Sequence, residues 1–216
     1  MTAYLAADRL ALLHEGAWAF RGVDLEAARE QLVAVAGPPA SGHTTLLLVL
    51  AGRMRPSSGS ITLAGRPASS GALRRHVGVG AVKSVSDLQD ALRVGELLGE
   101  RAAFEGRWRR RRTLVRDLLI RVGLDVSEKT LVRDLDAAQR VRLSVASALV
   151  GGPDAVVVDD FDRGVPQAER PGLWQLLRGV AGDGVAVVAA GVDTVTAARY
   201  ADLVVRLGVE VSVASA

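Results

Sequence analysis

Cysteine is absent from the 216-residue sequence, which excludes a disulfide framework and any thiolate metal site. Histidine is scarce, and its three copies are too scattered along the chain to predict a zinc cluster. Proteins without disulfides are typical of reducing compartments. We therefore interpret the sequence as that of a cytoplasmic protein.

Long apolar runs are also missing. The longest lie at 44–51, 155–158 and 185–190, far short of the roughly 20 residues that cross a bilayer. The N-terminus is already interrupted by charges at Asp8 and Arg9, so it predicts no secretion signal. Any role at a membrane is therefore expected to be peripheral.

The composition is that of an ordinary globular protein. Apolar residues make up 49% of the chain and charged residues 24%, which predicts one domain with a full core. The sequence shows no internal repeat or low-complexity linker, so residues 1–216 are treated as a single domain. The formal net charge is only +3, and no nucleic-acid partner is expected from it.

The order of the apolar runs predicts an α/β fold. Short runs broken by glycines at 5–25 are typical of strands joined by turns, and the run at 31–36 leads through a Gly/Pro-rich loop into a helical stretch. The runs at 155–158 and 185–190 have the character of buried parallel strands. Helical stretches at about 87–122 and 137–150 are interpreted as an insertion at approximately 87–147.

The loop after the run at 31–36 carries a phosphate-binding pattern. It matches glycine, four residues, glycine, lysine and serine or threonine at every fixed place except the lysine. Such a loop points backbone N–H groups at phosphate oxygens, while its hydroxyl binds magnesium. The predicted nucleotide-binding residues are Gly37, Pro38, Pro39, Ala40, Ser41, Gly42, His43, Thr44 and Thr45, with Thr44 also a metal ligand.

Two substitutions weaken this pattern. Pro39 has no N–H to offer, and His43 stands where the pattern has a permanently charged lysine. A neighbouring phosphate would favour the protonated imidazole. On this motif alone, a plain strand-to-helix turn without a ligand remains the alternative.

The stretch VAVAGPPASGHTTLLLVLAGRMRPSSGSITLAG, at 33–65, resembles the nucleotide-binding domains of ABC transporters. The resemblance continues in the family's order through LDAAQR at 135–140, AVVVDD at 155–160 and the stretch 185–207. It implies a P-loop NTPase (RecA-like) core with a mainly parallel sheet, an N-terminal antiparallel β part and a helical insertion. It also implies ATP and Mg²⁺ as cofactors, and transmembrane transporter subunits and a second cassette as partners, at the inner face of the cell membrane.

The resemblance assigns roles to two aspartates. Asp159 matches the family's magnesium-binding aspartate, with a simple strand-end turn residue as the alternative. Asp160 stands where the family has the glutamate that polarises the attacking water, and it is one methylene shorter. Because a misplacement of about 1 Å can cost about a hundredfold in rate, slow hydrolysis is expected.

Other positions of the family's site are altered as well. The switch histidine falls at Val192, or at Gly191 if the alignment slips by one, and neither side chain can donate a hydrogen bond. The glutamine that meets magnesium falls near Val82. The adjacent Lys83 is either a substitute for the missing loop charge or a solvated surface lysine.

His14 falls closest to the aromatic residue that the family stacks on adenine, with Trp18 nearby. An ordinary core or surface role is the alternative for both.

The signature motif that serves the facing subunit's nucleotide is changed too. Asp136 replaces its serine and would repel phosphate oxygens, while Ala137 and Ala138 replace two glycines and add bulk. Asp136 and Gln139 nevertheless keep the spacing of a capping box, which predicts an intact helix start.

Five arginines and a tryptophan occupy residues 107–112 within the predicted insertion. They would dock acidic loops or anionic lipid; the alternatives are a solvated helix face and a nucleic-acid patch.

The leading hypothesis is a transporter cassette that dimerises and binds ATP with weak or slow hydrolysis. The runner-up is a non-catalytic pseudo-cassette that regulates or assembles with an intact one; a DNA- or translation-associated cassette has only the arginines in its favour.

Overall fold

The strands that the structure describes form two sheets. The computed structural model describes residues 2–80, 82, 88–107, 109, 111–191 and 194–208, without the side chains of 194 and 195. The strands are β1 (Leu5–His14), β2 (Ala17–Ala27), β3 (Leu32–Ala36), β4 (Ser58–Leu63), β5 (Arg66–Pro67), β6 (Val77–Val79), β7 (Ala155–Val158), β8 (Ala186–Gly191) and β9 (Leu203–Arg206). The helices are α1 (His43–Leu50), α2 (Ser70–His76), α3 (Val94–Phe104), α4 (Arg111–Arg121), α5 (Ala137–Leu149), α6 (Arg170–Gly182) and α7 (Thr194–Tyr200), with a 3₁₀ turn at Val132–Asp134. The predicted α/β class is confirmed.

The antiparallel sheet is built on the first hairpin and has the strand order β2-β1-β4-β5. Glu15 and Gly16 form the turn between β1 and β2, and both have positive φ, 49° and 80°. Two-residue turns of this kind match the twist of the strands that they join. This sheet is the N-terminal antiparallel part that the sequence predicts.

The parallel sheet, in the order β6-β7-β8-β3-β9, forms the centre of the protein. Strands β3 and β7 are buried at every residue, as expected of strands with helices on both faces. The register pairs Ala36 with Gly191 and Val158 with Ala189, so the carboxyl ends of β3, β7 and β8 lie side by side. Ligands of open parallel sheets bind at this edge, and here the loops after β3 and β7 meet there.

The helical region differs from the prediction at one place. The single helical stretch expected at about 87–122 is wrong, because α3 and α4 are separate helices. Gly106 follows α3 with a φ of 70°, a conformation that interrupts a helix and that glycine adopts without strain. The second predicted helix is confirmed as α5, and the expected start at Asp87 lies outside the described residues. None of the helices described here combines the length and apolarity required to traverse a bilayer.

Asp154, in the turn before β7, joins the two sheets at the amino ends of the parallel strands. Its carboxylate accepts a 2.8 Å hydrogen bond from the Tyr4 hydroxyl, pairs with Arg29 and lies 2.7 Å from Nδ1 of His76. Burial alone would raise the pKa of Asp154, but the bonds from His76, Arg29 and Tyr4 outweigh it and hold that pKa below its usual value. Burial, reinforced by the same contact, raises the pKa of Tyr4 to about 12.

This depressed pKa gives a stability prediction with a defined pH window. The ionised carboxylate stabilises the fold above its unfolded pKa, about 3.9, and the contribution is lost as the pH falls through the lower folded pKa. We expect Asp154→Asn to lower the free energy of unfolding by about 1–3 kcal/mol at pH 7. Urea denaturation from pH 7 to pH 3 should show this deficit shrinking below about pH 4.

The matched control is Asp134→Asn. Asp134 is 61% exposed, and its sole ion pair shown by the structure is a long one, with 3.8 Å between its Oδ1 and Nε of Arg133. An exposed pair of this kind contributes about 0–1 kcal/mol. A deficit for Asp154→Asn that stays constant at every pH would show that packing, and not charge, is what the substitution removes.

Candidate functional site

The loop between β3 and α1 has the two glycines that its packing demands. Gly42 has φ 91°, and a Cβ added there would lie 2.2 Å from the carbonyl oxygen of Ala19. A Cβ on Gly37 would lie 2.6 Å from the carbonyl oxygen of Leu207. Real Cβ atoms do not approach backbone oxygens this closely, so both fixed glycines of the motif are required by the surrounding strands.

The backbone of this loop is partly strained and leaves the start of α1 open. Ala40 has φ 67°, a left-handed conformation that costs a non-glycine residue about 1 kcal/mol or more. The N–H of Ser41 donates to the carbonyl of Pro38 at 3.2 Å, and Pro39 has no N–H. Gly42, the N-cap of α1, supplies no side-chain bond, so the first N–H groups of the helix are available to an anion.

Thr44 and Asp159 meet directly. The Thr44 hydroxyl donates a 2.6 Å hydrogen bond to Oδ2 of Asp159, although the two residues are 115 positions apart in the chain. Asp159 is only 8% exposed, and within the described part of the chain its Oδ1 has no hydrogen-bond partner. Burial raises the pKa of this carboxyl, with a further increase from the charge of Asp160 and partial offsets from Thr44 and His43.

These two side chains fit Mg²⁺. A buried carboxylate oxygen without a partner beside a hydroxyl is a hard, oxygen-only donor set. Magnesium takes one or two such protein ligands when phosphate oxygens and water supply the others. Thr44 and Asp159 would hold the ion, which would neutralise the unpartnered charge on the carboxylate.

His43, in the place of the motif lysine, folds back over the loop. Its Nε2 lies 3.2 Å from the Ser41 hydroxyl, and a Cβ on Gly37 would be 3.0 Å from the same nitrogen. The imidazole therefore covers the loop and leaves less reach toward the far end of the site than a lysine side chain has.

A cleft of about 380 Å³ opens at this edge of the sheet, and most of the predicted site residues line it. Its lining consists of Ala19, Pro39, Ala40, Gly42, His43, Thr44, Thr45, Asp160, Arg163 and Gly191. The other predicted loop residues, Gly37, Pro38 and Ser41, lie in the same loop but do not line the cleft. His14 is exposed at the end of β1 and does not line the cleft, so its stacking role stays a prediction.

Trp18 lies near the cleft but is already engaged. It is 46% exposed, and the Arg21 guanidinium lies 4.9 Å from the centre of its ring. The next residue, Ala19, is the one that reaches the phosphate loop.

Asp160 is held by a residue that the sequence does not single out. Its φ is 44°, and its Oδ2 pairs with Arg163 at 2.8 Å, while the Arg163 N–H donates to the Asp160 carbonyl at 3.0 Å. The predicted catalytic carboxylate therefore forms an ion pair with the Arg163 guanidinium in this structure. The only signal in the sequence is a basic residue three positions after the aspartate pair.

The remaining motif positions lack polar side chains where the structure describes them. Val82, at the glutamine position, is fully buried and packs in the core. Gly191 lines the cleft, and a Cβ there would meet Phe161 at 2.9 Å and Asp162 at 3.1 Å. Lys83 and Val192 lie outside the described residues.

The signature region forms a second cleft, of about 390 Å³. The predicted capping box is confirmed, because the Gln139 N–H donates to the Asp136 carboxylate at 2.8 Å and the Asp136 N–H donates to the Gln139 amide oxygen at 3.1 Å. Acidic side chains dominate the charged lining, with Asp125 and Glu169 beside Asp136 and with Arg142 opposing them. This surface disfavours an anionic ligand.

Three arginines of the run 107–112 that the structure describes lie in two different settings. Arg107 donates to the carbonyl of Gly151 at 2.6 Å, whereas Arg111 and Arg112 line a cleft of about 540 Å³ between α3 and α4. The lining of this cleft includes small residues of α3 and also Phe104, which is 92% exposed. Trp108 and Arg110 lie outside the described residues.

Comparison with known proteins gives one consistent result. The family model described as "ABC transporter" matches residues 20–162. The chain is 36% identical over 168 residues to the human phospholipid-transporting ATPase ABCA7, covering 74% of this chain and 8% of that protein. It is 32% identical to a putative ABC transporter ATP-binding protein of Streptomyces avermitilis, over 94% of this chain and 36% of the relative.

A Nod factor export ATP-binding protein I of Cupriavidus pinatubonensis is 31% identical over 77% of this chain and 51% of its own length. The chain thus spans about half or less of the length of these curated relatives. Among solved structures, cbiO1 of Clostridium perfringens, described as part of the complex cbiONQ, has a TM-score of 0.81 at 21% identity over 96% of this chain and 87% of its own. The dimeric bacterial cassette MJ0796 has a TM-score of 0.78 at 20% identity over 94% of both chains.

Proposed function

Because the chain belongs to the ABC transporter family as one of its ATP-binding cassettes, we propose that it binds ATP with Mg²⁺, couples to separate transmembrane subunits and hydrolyses ATP slowly. The observation that carries the proposal is the 2.6 Å contact between Thr44 and the buried carboxylate of Asp159. The Thr44 hydroxyl in the first turn of α1 and the Asp159 carboxylate at the end of β7 meet at one point, and these two groups would hold Mg²⁺.

Phosphate binding follows from the open start of α1. The N–H groups of Thr44 and Thr45 lie in the first turn of the helix, where the helix dipole favours negative charge. Both residues line the 380 Å³ cleft. The triphosphate would lie along this loop, with its terminal end toward Asp160.

Slow hydrolysis follows from the state of Asp160. Its side chain is one methylene shorter than that of a glutamate, so its carboxylate would lie farther from the attacking water, and a misplacement of about 1 Å can cost about a hundredfold in rate. Gly191 offers no side chain to the terminal phosphate. We expect turnover to fall well below that of a cassette with an intact glutamate.

Coupling to transmembrane subunits is supported by the cleft between α3 and α4. It is about 540 Å³ in volume, and its lining combines the exposed Phe104 with charged residues, a composition suited to a protein partner. We treat residues 1–216 as one cassette with a helical insertion at about 87–147, acting peripherally at the inner face of the cell membrane. A second cassette, identical or related, would complete the assembly.

A titration of the purified protein with a fluorescent ATP analogue, with and without Mg²⁺, tests this function. We expect Thr44→Ala and Asp159→Asn each to weaken magnesium-dependent binding by about tenfold to a hundredfold, because each loses a charge-assisted or metal-ligating contact. Binding measured without Mg²⁺ should change much less.

Ser127→Ala is the matched control, since Ser127 also loses a hydroxyl but is exposed, does not line the 380 Å³ cleft and, among the described residues, only accepts a 3.2 Å hydrogen bond from the Lys129 N–H. Wild-type protein that is folded yet shows no binding at millimolar nucleotide would refute the proposal.

A pseudo-cassette that assembles with an intact partner is the second candidate. The acidic lining around Asp136 favours it, because this surface would face the nucleotide of the partner and repel it. Phosphate release by the purified homodimer at a rate typical of ABC cassettes would exclude the second candidate. Magnesium-dependent binding without turnover would support it.

A further inference from the structure

Arg163 is a basic residue inside the nucleotide cleft that no motif of the family accounts for here. It follows the β7 strand in the loop 159–164 and lines the cleft together with Thr44, His43 and Gly191. Among the described residues that line this cleft, Arg163 carries the only guanidinium or ammonium group. The imidazole of His43, which also lines the cleft, points toward the loop, with its Nε2 3.2 Å from the Ser41 hydroxyl.

The side chain of Arg163 is free to change partners. It is 64% exposed, and its 2.8 Å bond to Asp160 is a single contact to a carboxylate that is itself 46% exposed. Exposed pairs of this kind are weak, whereas a guanidinium binds phosphate oxygens with two parallel charge-assisted bonds. A phosphate that enters the cleft beside Asp160 would therefore compete well for Arg163.

The charges around the cleft also favour a positive side chain at the phosphate site. Asp159 and Asp160 place two carboxylates next to the phosphate site, and Mg²⁺ offsets only part of their repulsion of a triphosphate. The lysine that would supply the remaining positive charge is replaced by His43. Arg163 is the group that the described lining offers in its place.

Resting on the proposed function, we propose that Arg163 replaces the motif lysine as the cation that binds the terminal phosphate of ATP. In this structure Arg163 pairs with Asp160, and on ATP binding it transfers to the phosphate. The transfer releases the Asp160 carboxylate toward the attacking water. Phosphate binding and release of the catalytic carboxylate thus become one event.

The test compares the dissociation constants of MgATP and MgADP for wild-type protein, Arg163→Ala and Arg163→Lys, measured by calorimetry. We expect Arg163→Ala to weaken MgATP by about tenfold to a hundredfold and MgADP by about threefold or less, because only ATP carries the terminal phosphate. Arg163→Lys should recover part of the loss for ATP. Asp160→Asn should tighten MgATP, because it frees Arg163 and removes a repelling charge.

Arg121→Ala is the matched control, since Arg121 forms an exposed ion pair with Asp183 at 2.7 Å on a different part of the molecule. Circular dichroism establishes that each variant is folded, and the Lys and Asn variants keep the test decisive if the alanine variant does not fold. Wild-type binding with an unchanged ATP-to-ADP ratio in the Arg163 variants overturns this inference alone. Failure of the wild-type protein to bind MgATP overturns the proposed function and the inference with it.

Discussion

Gly42→Ala is expected to destabilise the protein by about 2–5 kcal/mol and to abolish nucleotide binding. Two costs add at this position. The left-handed φ of 91° penalises any residue with a Cβ, and that Cβ would lie 2.2 Å from the carbonyl oxygen of Ala19. Since neither backbone can move without disturbing β2 or the start of α1, the loop must change shape. Thermal denaturation and the ATP titration measure the two effects.

Gly184→Ala separates strain from steric clash. Gly184 has nearly the same φ, 89°, but an added Cβ would meet nothing within 4 Å. This variant should cost about 1–2 kcal/mol, the penalty for the left-handed conformation alone, and should leave binding unchanged. Equal losses of stability in both variants would contradict the steric role assigned to Ala19.

Trp174→Ala is expected to lower the free energy of unfolding by about 3–5 kcal/mol, because Trp174 is only 2% exposed and removing its indole creates a large cavity. Its ring contacts Phe161 edge to face, with the ring centres 4.4 Å apart, and stacks near Tyr200 at 6.3 Å. Phe161 follows Asp160 directly in the chain. We therefore expect hydrolysis, measured as phosphate release at saturating ATP, to decline as well.

Trp174→Phe is the informative companion variant. The indole Nε1 is buried and has no hydrogen-bond partner in the described part of the protein, an arrangement that costs about 1–3 kcal/mol. Phenylalanine removes this N–H and keeps a ring beside Phe161, so it should destabilise much less than alanine. A loss as large as that of the alanine variant would show that the size of the indole, and not an aromatic contact, supports the loop.

The sequence predicts the elements that depend on neighbouring residues. The phosphate loop, α1 and the buried strand β7 each follow from a short pattern of glycines or apolar residues, and the capping box of Asp136 follows from residues three apart. The parallel core and the antiparallel first hairpin, which short runs of apolar residues and glycines also predict, are confirmed. The contact between Thr44 and Asp159 is implied only once the family's order of motifs is added, because no local pattern joins residues 115 positions apart.

Other features depend on tertiary packing and could not be predicted in this way. Asp160, which pairs with Arg163, has a left-handed backbone, and an aspartate in a sequence does not predict that conformation. The separation of α3 from α4 depends on one glycine within an otherwise helical composition. The bonds that Asp154 makes with Tyr4 and His76 unite residues from three distant parts of the chain.

The contact between Ala19 and Gly42 ties the nucleotide loop to the first hairpin. Proteins open locally in cooperative units, and segments that share an unavoidable contact open together. The local stability of the loop therefore depends on β2 as well as on the parallel strands. A substitution that frays this hairpin would weaken nucleotide binding from a distance, without changing any residue that lines the cleft.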